Sequence, residues 1–242
     1  MHGSVALLDG PRLLAESVLP TDRRSAQTLA PALVDLMAAQ QLTARQVGLV
    51  ATTVGPGSFT GLRVGITASK TFAYAAGAEV IGVNTLEVIA CQSPSEEVTE
   101  IQAVLDAQRK ELFVGRFALA QEGAKLKGTK DEQDAFEVSR SLAIPELHTI
   151  ESGRPIVPVN EWLKELRPGI AVIGPGLTKI VGQIPTGISI APQGRWEPRA
   201  SVVGQLAWRE YERGRRDDLW KLAPLYLRPS YAEEKAQRKG PT

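Results

Sequence analysis

The chain has 242 residues, with 28 Lys and Arg against 27 Asp and Glu for a formal charge of +1. No broad positive field is therefore present to neutralise a row of phosphates, and any nucleic acid would be held largely by a partner. A hydrophobic fraction of 43% with 23% charged residues excludes a disordered or fibrous chain, and the length fits two lobes, each with its own core.

The single cysteine, Cys91, cannot form an internal disulfide, and the N-terminus lacks the basic and long apolar segments of a secretory signal. The most apolar run, residues 74–83, is short and interrupted by Glu79. These features predict a cytoplasmic protein outside the membrane.

Residues 4–8 and 13–19 are apolar segments joined by Asp-Gly-Pro, which predicts a hairpin. From residue 25 to about 41 the apolar Leu29, Leu33, Leu36 and Met37 recur at helical spacing, with Pro31 tolerable only in a first turn. A buried strand over 47–54 follows, then a sharp turn, a helix over 62–76 ended by Gly77, a strand over 79–83 and a short helix over 85–91.

The polar, Pro-containing stretch 93–100 reads as the boundary between lobes. It divides the chain into a first lobe over 1–95 and a second over 96–219. The segment from about 220 to 235 is expected to pack back on the first lobe, and 236–242 to form a disordered tail. The second lobe opens with strand, turn and strand over 101–119. A charged, glycine-bearing exposed loop or edge strand over 123–141 follows, then a short helix over 162–166 and a strand over 170–177 that runs into Gly-Pro-Gly. That tripeptide faintly repeats the first-lobe loop. A helix over 200–213 presents Val203, Leu206, Ala207 and Tyr211 on one face.

The turn Gly55-Pro56-Gly57-Ser58-Phe59-Thr60-Gly61, between a strand and a helix, admits three readings. A phosphate cradle would exploit the free amides at the helix start, but a Walker-type loop needs Lys-Ser or Lys-Thr after its last glycine, and Leu62 and Arg63 stand there. A nucleophile elbow would centre Ser58 between glycines and supply a base. Ser58 is not so placed, and neither His2 nor His148 is near in sequence. The third reading is structural: Gly55 and Gly57 permit the turn while Ser58 or Thr60 caps the helix.

The helix that follows carries Gly61, Gly65, Ser69 and Ala73 four residues apart, a ridge with almost no side-chain bulk that lets another backbone come close. With few charges besides Arg63 and Lys70, it is expected to be buried on more than one side, against its own sheet or against another molecule. Asp106, at the end of a lobe-opening strand, either faces a nucleotide phosphate through magnesium or stabilises the following turn, and the turn is preferred. Arg63 and Arg109 are assigned solvated surface roles. No metal site is expected, because the two histidines lie far apart and no acidic cluster accompanies Asp9 or Asp106.

Three segments, GPGSFTGLRVGITASKTFAYAAGAEVIGVNTLEVIA, LDAQRKELFVGRF and PLYLRPSYAEE, occur in an order that resembles the TsaB family of tRNA threonylcarbamoyladenosine biosynthesis proteins, from Gly3 to about Glu234. The resemblance implies an α/β, two-lobe actin-like fold of the ASKHA, ribonuclease H-like type. It also implies a non-catalytic subunit that binds and activates TsaD for threonylcarbamoyl transfer to adenosine 37 of tRNAs reading ANN codons.

Carried onto this chain, the implied partner interface comprises Leu29, Leu33 and Leu36 of the first helix with Phe59, Gly61, Val64, Gly65, Ala68, Ser69 and Phe72 of the second. The same surface is implied in homodimers. TsaE is implied through the complex, tRNA only indirectly, and no cofactor of the chain's own, with ATP and magnesium entering at the level of the complex. Two departures stand out. The strand that begins family members, ending in Asp-Thr, has no counterpart before GSVAL, so the first-lobe sheet is expected to lack a central member. The His-Ser-Glu of relatives is replaced by Ser25-Ala26-Gln27. The alternatives within the same superfold are an ATP-binding kinase-like enzyme and a metallopeptidase-like (glycoprotease) enzyme.

Overall fold

The computed structural model describes residues 3–20, 25–93, 98–119, 144–150 and 155–228. The expected span 123–141 and the tail 236–242 fall wholly outside them.

The chain opens with β1 (Ser4–Asp9) and β2 (Arg12–Val18), an antiparallel hairpin turned at Gly10, whose φ of 57° suits glycine. Helix α1 (Ser25–Ala39) follows. Pro31 lies in its second turn, not the first as its chemistry predicted, and sits on the exposed side of the helix. Strand β3 (Leu49–Gly55), helix α2 (Phe59–Ala76) and strand β4 (Glu79–Asn84) form a β-α-β unit with β3 and β4 parallel, and α3 (Thr85–Ala90) leads out of it. Helix α2 begins three residues earlier than its apolar pattern indicated. The cause is Ser58, whose hydroxyl accepts a hydrogen bond from the Gly61 amide at 3.3 Å and caps the end. Gly77, in the left-handed conformation, ends it as expected.

The second lobe is built on β5 (Glu100–Asp106), β6 (Glu111–Leu119), β7 (Leu147–Thr149), β8 (Ile156–Pro158), β9 (Ile170–Ile173) and β10 (Ser189–Ile190), with helix α4 (Val159–Glu165) between β8 and β9. These six strands form one sheet in the order β10-β9-β5-β6-β7, with β8 on the other half of β6's outer edge. Its core holds Trp162, whose Nε1–H donates to Gln102 Oε1 at 2.7 Å, while Gln102 Nε2 donates to Glu100 Oε1 at 2.7 Å. The second Gly-Pro-Gly opens a 3-10 turn, not a long helix. At Gly174, with a φ of 126°, a Cβ would lie 2.2 Å from the Val104 carbonyl oxygen, so this glycine serves close backbone packing.

The last helix, α5 (Ala200–Glu212), corrects the lobe assignment of 96–219, because it packs on β1, β2, β3 and β4. Val202, Val203, Leu206 and Ala207 join Ile81 and Val83 in one core, and Gly204 sits directly against Leu8. On the opposite face of the same strands, α1 covers Val5 and Leu7 while α2 covers Val50, Val54 and Val80. The first lobe is therefore a three-layer sandwich, α1 and α2 over strands over α5. Its strand layer is in two pieces: β1-β2 and β3-β4 are separate two-stranded sheets, and among the described residues no strand bridges them. Sharing α5 holds the two pieces in one layer. Glu16 of β2 reinforces this by accepting hydrogen bonds from the Ser201 amide and hydroxyl, each at 3.0 Å, and from Arg199 Nη2 at 2.6 Å, which caps the start of α5.

Candidate partner interface

The turn ahead of α2 is fixed by a neighbour from the C-terminal segment that is expected to pack back on this lobe. Residues 215–228 form an irregular strap that runs along α2. Gly55 has a φ of 125°, and a Cβ there would lie 2.8 Å from the Leu225 carbonyl oxygen. The Leu225 amide donates to the Val54 carbonyl at 2.7 Å, so the glycine leaves room for the strap backbone itself.

Further along, Asp217 Oδ2 accepts from the Gly82 amide at 2.8 Å, and Leu222 enters the core with Ile66, Ala73 and Val80. The strap turns at Asp218, whose Oδ1 accepts from the amides of Trp220 (2.8 Å) and Lys221 (3.3 Å). These bonds, the one from Trp220 foremost, hold the Asp218 carboxyl below its usual value.

Both charged residues of α2 are turned to this strap. Lys70 Nζ donates to the Trp220 and Leu222 carbonyls, at 3.1 Å each. Arg63 Nε donates to the Tyr226 hydroxyl at 3.0 Å, and its guanidinium lies 4.2 Å from the centre of the Phe59 ring, which stacks on Tyr226. Arg63 is thus exposed, as expected of it, and also tied to its own chain.

With both charges engaged, the outward face of α2 consists of Thr60, Val64, Thr67, Ala68, Thr71 and Ala75, all exposed or half-buried and none charged. Helix α1 packs beside α2 and adds exposed Ala30, Pro31, Ala38 and Val34, the last 64% exposed; its one charge is Asp35. Single exposed apolar residues are ordinary, but a face across two neighbouring helices that carries one charge, Asp35, marks an interaction surface.

The expected interface residues divide across this geometry. Val64 and Ala68 lie on the open face, Gly61 is exposed at its edge, and Phe59 is exposed beside the strap. Gly65 and Ser69 are half-buried and Ala73 is buried; the nearest atom to a Cβ at Gly65 would be Thr52 Oγ1 of β3, at 3.7 Å. The small-residue ridge therefore runs from solvent into the protein's own sheet, and it serves the close approach of α2 to β3 as well as bordering the open face.

Leu36 is corrected: it is buried with Val5, Leu7, Leu19 and Met37, and Leu29, Leu33 and Phe72 pack half-buried against the same core. Leucines at helical spacing form the stripe that faces a helix's own sheet, so the solvent side of α1 falls to the small residues between them.

Asp106 lies apart from this surface. Its Oδ1 accepts from the Gln108 amide at 2.7 Å and its Oδ2 from Lys179 Nζ at 3.1 Å, which is the arrangement of a turn-stabilising aspartate. Burial, followed by the nearby Glu87 carboxylate, pushes the Cys91 thiol up to about 12, where it has no nucleophilic character at neutral pH. Among the described residues no group of three His, Cys, Asp or Glu side chains is placed to hold a metal ion, and no helix is long and apolar enough to cross a membrane.

Comparison with known proteins gives a consistent set of likenesses. The family described as TsaD, tRNA N6-adenosine threonylcarbamoyltransferase, is matched by residues 13–157, more than half of the chain. An uncharacterized protein of Mycobacterium tuberculosis is 32% identical over 105 residues, 43% of this chain and 48% of that protein. The tRNA threonylcarbamoyladenosine biosynthesis protein TsaB of Bacillus subtilis is 26% identical over 113 residues, 47% of this chain and 49% of that protein. The chain thus spans about half the length of the curated relatives it matches. Among solved structures, YeaZ from Pseudomonas aeruginosa is similar with a TM-score of 0.68 at 23% identity, covering 92% of this chain and 93% of that one, which supports the actin-like two-lobe fold.

Proposed function

We propose that this chain, which belongs to the TsaD family described as tRNA N6-adenosine threonylcarbamoyltransferase, serves that chemistry as a docking subunit and leaves the catalysis to a sister subunit. On this reading it binds and activates TsaD for threonylcarbamoyl transfer to adenosine 37 of tRNAs reading ANN codons, in the cytoplasm, and meets the tRNA only through the complex. The likeness to the TsaB protein of Bacillus subtilis supports the pathway. The observation that carries the docking role is the outer face of α1 and α2, uncharged on α2 and with Asp35 alone on α1, left open while Arg63 and Lys70 are bonded sideways to the strap.

The test places a charge at the centre of that face. Ala68 is half-buried on that face, where the flexible stem of an arginine can carry its charge out to water in the free protein, so Ala68→Arg is expected to leave the melting temperature within a few degrees of wild type. It is expected to abolish co-elution with TsaD of the same organism on size exclusion, because an arginine would be desolvated without a counter-charge. Undiminished co-elution of a folded Ala68→Arg protein contradicts the proposal, as does turnover of ATP in the presence of magnesium by the isolated chain.

A further inference from the structure

We propose that the strap over residues 215–228 forms a second wall of this docking surface, an aromatic rail along which the sister subunit lays one apolar helix. The inference rests on the docking reading above and extends it to residues outside α1 and α2.

Large apolar side chains concentrate here. Trp220 is 73% and Tyr74 is 70% exposed, and they meet edge to face with ring centroids 5.7 Å apart. At the other end of α2, Phe59 and Tyr226 are stacked at 4.8 Å and both remain exposed, as does Leu225 beside them. Phe59 and Tyr74 are fifteen residues apart on one helix, so the two aromatic pairs stand about 22 Å from each other along its axis, the length of a four-turn helix. Paired rings that stay in water hold most of their burial in reserve, and Trp and Tyr are the side chains that most often dominate an interface once covered.

The rail is fixed in advance. Between its two ends Lys70 holds the Trp220 and Leu222 carbonyls, Arg63 holds the Tyr226 hydroxyl, and Leu222 is anchored in the core, so little ordering remains to oppose association.

Charge selects the class of occupant. Arg215 pairs with Asp217 at 2.9 Å, Lys221 with Asp218 at 3.6 Å, and Arg228 with Glu111, while Arg216 lies over the Tyr211 ring at 3.3 Å. Three of the strap's four cations thus have a carboxylate partner, and although Arg215, Arg216 and Lys221 stay exposed, the rings of Phe59, Tyr74, Trp220 and Tyr226 are the side chains that line the uncharged face of α2. A protein helix with an apolar face fits that surface, whereas a phosphate backbone is better served by a row of cations free of carboxylate partners.

The test measures affinity for TsaD of the same organism by titration calorimetry with Trp220→Ala, Tyr74→Ala, Trp220→Phe and Ala68→Arg, each checked for an unchanged melting temperature. Trp220→Ala and Tyr74→Ala are expected to weaken binding by about tenfold or more, and Trp220→Phe to restore most of it. If Ala68→Arg abolishes binding while both alanine variants bind like wild type, the rail is refuted and the docking face stands. If Ala68→Arg binds like wild type, both fall. A third arm adds unmodified tRNA transcript alone, and a loss of tRNA binding in Trp220→Ala with TsaD affinity intact would assign the rail to nucleic acid and overturn the proposal.

Discussion

In the second lobe, β5 is hydrogen-bonded on both edges, to β6 and to β9, and six of its seven residues are buried. In the first lobe, β1 and β3 are covered by helices on both faces just as thoroughly, yet each pairs along one edge only among the described residues, and both are largely half-buried. The difference shows that covering the faces of a sheet does not by itself seal it. A strand with an open edge leaves backbone amides and carbonyls within reach of water, and the neighbouring side chains share that exposure. The second lobe is held by a continuous ladder, while the first is held by helices that straddle two pieces. The face proposed for docking lies on the helices of the first.

The largest effect that separates the lobes is expected at Trp162, which is 0% exposed. Trp162→Ala removes the centre of the second-lobe core and leaves Gln102 Oε1 without its donor, a loss of about 3–5 kcal/mol. Guanidinium denaturation followed by circular dichroism would measure it, and a loss under 1 kcal/mol would show that the continuous sheet is not the stronger half.

A smaller effect is expected at Glu16, the buried carboxylate that ties the hairpin to α5. Glu16→Gln places an amide donor against groups that already donate, and is expected to lower stability by about 1–3 kcal/mol without altering the second-lobe core. Tryptophan fluorescence at an emission wavelength characteristic of buried indole checks this, because Trp162 and Trp196 are both buried in the second-lobe core.

Much of this architecture was legible locally. The Asp9-Gly10 turn, the β3-α2-β4 unit and the Gly77 stop are each specified by a few adjacent residues, and all three form as the sequence indicates. The strands β7, β8 and β10 span two or three residues each, too short for alternation to register. Lobe membership of α5 was not legible, because its apolar stripe says that it packs but not on which sheet, and its partners lie more than a hundred residues earlier.

The candidate surface was half legible. The scarcity of charge on α2 pointed to it, but the family resemblance implies Leu29, Leu33 and Leu36 of α1, which face the protein's own strands. The bonds from Arg63 and Lys70 to the strap span 150 residues or more and leave no local signal.

Hydrogen exchange with and without TsaD of the same organism tests the central claim most directly, since one experiment reads both lobes. In the free protein, amides of β1 and β3 are expected to exchange well before those of β5 and β9. On adding TsaD, protection is expected across residues 59–76 and the exposed turns of α1, with β5, β6 and β9 unchanged. Protection confined to the second lobe, with 59–76 exchanging as in the free protein, would contradict the account.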